Sequence, residues 1–168
     1  MHISKIYKEI YKRFDSVTPL HVDCGELCDK LCCRGDDESG MYLFPGEARL
    51  FYGNKNFSVL PTDLAVQGKE VKLLVCHGPC SRMDRPLACR IFPLFPYYTR
   101  QEGLKIITDP RAVLCPLSHP SAVPYIRSDF KKRIEKTFRL LLKFPEIADY
   151  LEAISESFRD FERLKGSF

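Results

Sequence analysis

The sequence predicts an α+β fold: an N-terminal helix, an irregular cysteine-rich metal-binding middle with a few short antiparallel strands, and a C-terminal αα-hairpin. Three observations predict it. Apolar residues repeat at helical spacing at both ends of the chain, seven prolines interrupt the stretch from Pro86 to Pro124, and all eight cysteines fall between Cys24 and Cys115. At 168 residues, 45% hydrophobic and 29% charged, the chain suits one globular domain over residues 1–168. It divides into an N-terminal helix (1–20), a cysteine-cluster core (21–122) and a helical hairpin (123–168).

Ile3, Ile6, Tyr7, Ile10 and Phe14 lie on one helical face, and Pro19 ends that segment. After the first cysteines and the acidic stretch from Asp36 to Gly40, Phe44 to Tyr52 reads as a short helix with Pro45 in its first turn. From Phe57 the pattern shifts to short strands, of which Lys69 to Val75 leads straight into Cys76. A strand pair follows around IFPLFPYYTRQEGLKIITD, with its turn at Gln101 to Gly103. Pro93 and Pro96 restrict the first of these strands to an edge. Ile126, Phe130, Ile134, Phe138, Leu141 and Leu142 stripe a helix that Pro145 breaks. Ile147, Tyr150, Leu151, Ile154, Phe158 and Phe161 stripe the next, and both stripes are core faces.

Ordering each residue costs about 1–2 kcal/mol of backbone entropy, and the loop-rich middle has little periodic apolar surface to offset it. A structural metal supplies roughly 10 kcal/mol or more of apparent binding energy. The cysteines Cys24, Cys28, Cys32, Cys33, Cys76, Cys80, Cys89 and Cys115 lie in that middle, which makes all eight candidate metal ligands. Disulfide-dense scaffolds are usually shorter and secreted, so metal is favoured over disulfides and over unlinked core thiols. Cys24, Cys28 and Cys32 would share a face of a helix, each four-residue step turning about 400°. Cys33 would then point away, and either binds a second metal, caps a cluster from a non-helical turn, or is a core thiol. Gly78 and Pro79 favour a chelating turn between Cys76 and Cys80, and Pro116 stiffens the position of Cys115. Four thiolates around a dication leave a charge of about −2. Arg34, Arg85, Arg90 and Arg111 stand near cysteines in the sequence and are candidates to offset that charge and donate to sulfur.

The strings CGELCDKLCC and CSRMDRPLACRIFP, with the Phe44-to-Phe51 segment and its Glu47 between them, resemble the YkgJ-type cysteine-cluster family, described as a zinc- or iron-chelating domain. The resemblance spans about Cys24 to Cys115, and the double cysteine and the RPxxCRxFP string are specific in combination. It implies Cys24, Cys28, Cys32, Cys33, Cys80 and Cys89 as motif cysteines and Arg85 and Arg90 as cofactor-binding arginines. Cys76 and Cys80 stand closer together than in that family, and the C-terminal hairpin lies outside the motif. Related cysteine clusters occur in flagellin lysine methylases, which this chain is too short to resemble throughout.

The expected cofactor is zinc or an iron–sulfur cluster. The three-residue spacers and the number of thiols lean toward iron–sulfur, and the absence of paired C-x-x-C knuckles argues against a zinc ribbon. His77, between Cys76 and Cys80, is a weaker candidate ligand; His21 is weaker still, and His2 and His119 read as exposed. No P-loop, dinucleotide glycine fingerprint or G-x-S-x-G elbow occurs, so no nucleotide cofactor and no catalytic residue are assigned. A structural or accessory metal-binding role leads. The alternatives are an iron–sulfur-dependent, methylase-related enzyme, a thiol-redox protein, and a nucleic-acid module built on the basic helix 127–143. The last is disfavoured because Asp129 and Glu135 interrupt its charges and Glu146, Asp149, Glu152 and Glu156 follow on the next helix. The net charge of +4 points to no nucleic-acid or membrane partner, and the sequence names no protein partner. Lys5, Lys8 and Glu9 break any secretory apolar run, no window approaches the roughly 20 apolar residues of a bilayer span, and a cytoplasmic protein is expected.

Overall fold

Helix α1 (Ile3–Lys12) forms because its apolar face has a core to enter: Ile3, Ile6, Tyr7 and Ile10 are all buried. A computed structural model of the chain describes residues 3–33 and 40–165. The helix stops well before Pro19, tightening into i→i−3 bonds from Arg13 N to Ile10 O (3.0 Å) and Phe14 N to Tyr11 O (2.8 Å). Side chains from elsewhere then take the carbonyls the helix leaves unpaired. Arg82 Nη2 donates to Phe14 O (3.3 Å) and Val17 O (2.6 Å), and Arg133 Nη1 donates to Arg13 O (2.7 Å).

The middle carries five short strands: β1 (Gly40–Tyr42), β2 (Phe57–Leu60), β3 (Ala65–Val66), β4 (Lys69–Glu70) and β5 (Leu73–Cys76). β5 is central in an antiparallel sheet of order β1-β5-β2, with Met41 opposite Leu74 and Phe57 opposite Cys76. The single strand expected over Lys69 to Val75 is therefore two. Lys69 and Glu70 pair back on β3, Val71 N turns to Leu64 O (2.8 Å), and Lys72 O receives Leu43 N (2.8 Å). β1 was not anticipated, its three residues being too few to show a period.

The helix expected over Phe44 to Tyr52 is one 3-10 turn, Glu47–Leu50. Gly46 precedes it with φ +80°, and a Cβ there would lie 2.4 Å from Ile3 Cγ2. Only glycine reconciles that backbone with the close approach of α1. Gly46→Ala is expected to lose about 1–3 kcal/mol and lower Tm by several degrees. Chemical denaturation checks it; a loss within measurement error would show that Ile3 yields without cost.

A five-residue helix, α2 (Leu87–Ile91), carries Cys89 and was also unanticipated. The expected strand pair is present as β6 (Leu94–Thr99) and β7 (Gly103–Thr108), a two-stranded ribbon with Pro96 opposite Ile106. Among the described residues each strand pairs only with the other, so Pro96 sits where its missing N–H costs no ladder bond.

The hairpin comprises α3 (Ser128–Leu141) and α4 (Pro145–Lys165), with Pro145 opening the second helix rather than merely ending the first. Phe130, Ile134, Phe138, Leu141, Ile147 and Leu151 are fully buried, whereas Phe161 is about half exposed at 49%. Phe44 packs against Phe138 and Tyr150 at ring distances of 5.2 and 5.4 Å, and Phe95 meets Phe158 at 5.0 Å. Hydrogen bonds from Tyr98 N to Ser155 Oγ (2.9 Å) and Arg100 N to Glu152 Oε1 (2.9 Å) tie the ribbon to α4. The main core thus lies between α1, α3, α4 and the ribbon, and a smaller one of Leu43, Phe51, Phe57 and Leu74 lies under the first sheet.

The basic helix is engaged within the chain at several points, among them Arg133 on Arg13 O, Arg139 on Glu135 (2.6 Å), Lys131 on Val123 O (3.4 Å) and Arg127 on Asp129. Among the described residues, several acids of α4 pair with partners outside α3. Asp149 and Glu152 pair with Arg100, and Glu156 with Arg159. Among the described residues, no helix is long and apolar enough to cross a membrane.

Candidate metal centre

Four stretches of chain supply the eight cysteines. Cys24, Cys28, Cys32 and Cys33 do not lie on a continuous helix as their spacing predicts. Two 3-10 turns, Cys24–Leu27 and Leu31–Cys33, flank a reversal in which Asp29 (φ 48°) and Lys30 (φ 52°) adopt left-handed backbone. Asp23 starts the first turn by accepting Gly25 N (3.0 Å), and Lys30 N closes the loop on Gly25 O (2.9 Å). The reversal still brings Cys24, Cys28 and Cys32 to one small cavity of about 40 Å³, shared with Cys89, Cys115, Arg82 and Arg85.

The non-helical turn also settles the position of Cys33. Its Sγ lies 3.9 Å from Cys32 Sγ, and its thiol hydrogen-bonds to Cys80. Cys76, at the end of β5, hydrogen-bonds to Cys80 across the Gly78–Pro79 turn. Cys89 enters from α2, and Cys115 from the turn before Pro116, where its sulfur accepts backbone N–H groups of Leu117 and Ser118. All eight thiols are free, and each retains partial access to solvent.

Arg85 stands among them. Its guanidinium hydrogen-bonds to Cys80 and lies close enough to Cys32, Cys33 and Cys89 to interact with their charges. Its Nε is buried without a partner. Hydrogen bonds from Cys33 and Cys76, with Arg85 alongside, hold Cys80 well below the usual thiol range. A hydrogen bond from Cys33, and Arg85 after it, lowers Cys32. Burial pushes Cys24 up to about 11 and Cys89 up to about 12, with neighbouring thiols adding to both. The surroundings therefore favour the thiolate form at Cys32 and Cys80, beside a cation, more than at Cys24 and Cys89.

Other residues singled out in the sequence lie apart from this cluster. Arg90 is buried, and its hydrogen bonds go to Arg85 O (2.7 Å), Met83 O (2.6 Å), Tyr11 O (3.3 Å) and Asp15 Oδ1 (2.6 Å), with none to sulfur. It also stacks on the Tyr11 ring at 4.3 Å. Arg90 thus locks α1 to the loop carrying Arg85. Arg111 pairs with Asp109 (2.7 Å) and stacks between Phe95 and Phe158. His77 Nε2 is bound to Ser58 Oγ (2.7 Å), and His21 and His119 are exposed. Arg34, the acidic stretch from Asp36 to Glu38, and His2 lie outside the described residues.

Two residues matter here that the sequence did not single out for these roles. Arg82 lines the thiol cavity while capping the end of α1, and its Arg-x-x-Arg spacing with Arg85 was the available signal. Glu47 is completely buried and accepts from Tyr11 Oη (2.5 Å), Phe44 N (3.1 Å) and Leu87 N (2.6 Å), so it fixes the start of the helix bearing Cys89. Burial raises its pKa against the opposing pull of those donors and of Arg90.

The donor chemistry fits a soft or borderline metal: free thiols, backbone N–H groups on sulfur, and a guanidinium to offset thiolate charge. Among the described residues, no three Cys, His, Asp or Glu side chains converge closely enough to hold an ion as they stand. The chain matches no family model, no curated protein and no solved structure.

Proposed function

We propose that this chain is a metal-binding protein of the YkgJ-type cysteine-cluster family, acting in the cytoplasm in a structural or accessory role. Its clustered thiolates chelate zinc or an iron–sulfur cluster, with the lean to iron–sulfur. The observation that carries this reading is the meeting of eight free thiols from four separate stretches around the guanidinium of Arg85, with that of Arg82 beside it. Thiols brought together for packing alone need no cation among them, and a disulfide framework would pair them. A thiolate-rich metal site needs both proximity and charge compensation.

Elemental and acid-labile sulfide analysis of protein purified without oxygen tests it. Iron with matching sulfide and visible charge-transfer absorption identifies a cluster. Stoichiometric zinc without sulfide identifies a zinc site. Folded protein that carries only trace metal and takes up none on reconstitution would sink the proposal.

A further inference from the structure

A cavity of about 390 Å³ lies between residues 43–46, the β3–β4 hairpin and the start of α4, and no cysteine lines it. That volume falls within the range of small-molecule sites. Ile3, Leu43, Phe44, Val66 and Val71 give it an apolar wall. Backbone polar groups along that wall are already paired within the chain. Leu43 N donates to Lys72 O (2.8 Å), Val71 N to Leu64 O (2.8 Å) and Glu47 N to Phe44 O (3.0 Å), while Pro45 O accepts from Tyr7 Oη (2.9 Å). The polar atoms of a bound molecule must therefore be met by side chains.

Most charges at the cavity are already matched: Glu70 pairs with Lys72, and Asp149 with Arg100. Glu146, half-buried in the first turn of α4, has no hydrogen bond or ion pair among the described residues. Tyr150 follows one turn later on the same face of the helix and is only 2% exposed. Its hydroxyl likewise has no hydrogen-bond partner among the described residues. Lys69 is also unpaired, but it is exposed beside the turn at Gln67 and Gly68, where water serves its ammonium. The helix dipole favours an acid in a first turn and so accounts for Glu146 on a solvated surface. It does not account for a buried hydroxyl left open beside it on an apolar cavity, because buried polar groups normally find partners.

We propose that this cavity binds a small organic amine, an ammonium group carried on a compact apolar body. The ammonium donates to the Glu146 carboxylate and the Tyr150 hydroxyl oxygen, and the apolar body lies against Ile3, Phe44 and Val66. The aromatic rings of Phe44 and Tyr150 favour a cation over an anion. The site is separate from the thiols and does not depend on what they hold.

Titration of the full chain with phenethylamine, phenethyl alcohol and hydrocinnamate tests this, read by calorimetry and by backbone amide NMR shifts. The amine is expected to bind saturably and to shift amides of residues 43–48 and 66–72. The alcohol and the acid, of similar size, are expected to bind about tenfold more weakly or worse. Glu146→Gln is expected to bring the amine down to the level of the alcohol, Tyr150→Phe to weaken it severalfold, and Lys69→Ala to leave it unchanged. The comparison of the three ligands uses unmodified protein, so a variant that fails to fold does not shelter the proposal. Absence of saturable amine binding, equal or tighter binding of the alcohol or the acid, dependence on Lys69 instead of Glu146, or shifts confined to the cysteine loops would each overturn it.

Discussion

On the proposed metal-binding reading, stripping the metal from this protein is expected to lower its melting temperature sharply and open the cysteine-bearing loops to protease. The segments around Cys24–Cys33, Cys76–Ile91 and Cys115–Tyr125 are built from short turns, a five-residue helix and proline-rich loops. Several of their large apolar side chains face solvent: Leu27 is 61% exposed, Met83 58% and Tyr125 76%. Burial there rests on few side chains, among them Leu87, Ile91 and Leu117, and on the proposed reading thiolate ligation adds to it against the entropy of ordering. Losing even about 5 kcal/mol, well under what a structural thiolate site supplies, lowers Tm by roughly 10–20 °C in a chain of this size. Because Arg82 and Arg90 reach from this region to the carbonyls ending α1, disorder in the loops also loosens the N-terminal helix. Calorimetry with and without chelator, followed by proteolysis, measures both effects. An unchanged Tm after complete metal removal would show that the loops hold their shape unaided.

Arg90→Met is expected to cost about 3–5 kcal/mol, the range for removing one partner of a buried charged pair. Methionine approximates the length of the side chain and retains its apolar packing. It leaves Tyr11 O, Met83 O and Arg85 O without their donor and Asp15 without its cation. Arg90→Lys is expected to recover only part of the loss, since one ammonium cannot span donors that point to four acceptors. The metal content of the fraction that remains folded separates framework from cofactor roles. It should match the native protein, and a selective loss of metal at unchanged stability would return Arg90 to the thiol site.

The same pair of arginines shows why part of the site was legible in sequence and part was not. Arg85 and Arg90 belong to one string and carry the same charge, and nothing in their spacing separates them. Pro86 and the short helix α2 send Arg90 back to α1, while Arg85 remains among the sulfurs. The Cys24–Cys28–Cys32 spacing posed a similar problem. It fits a helical face, but Asp23 bonding to Gly25 and the left-handed pair Asp29–Lys30 compete with the helix and win. The sulfurs meet regardless, because the loop folds back on itself rather than because one face is shared.

The periodic parts of this chain were determined by sequence alone. Helices α1, α3 and α4 and the ribbon of β6 and β7 follow from apolar spacing and proline placement, since a long amphipathic stripe has only one way to bury itself. So did the confinement of the thiols to the middle. Tertiary structure alone decided that Lys69 to Cys76 breaks into two strands, that Glu47 anchors the helix bearing Cys89, and that Cys33 hydrogen-bonds to Cys80 while Cys32 lines a cavity with Cys24. The physical reason is range: periodicity records contacts a few residues apart, whereas these outcomes depend on partners brought together from distant parts of the chain.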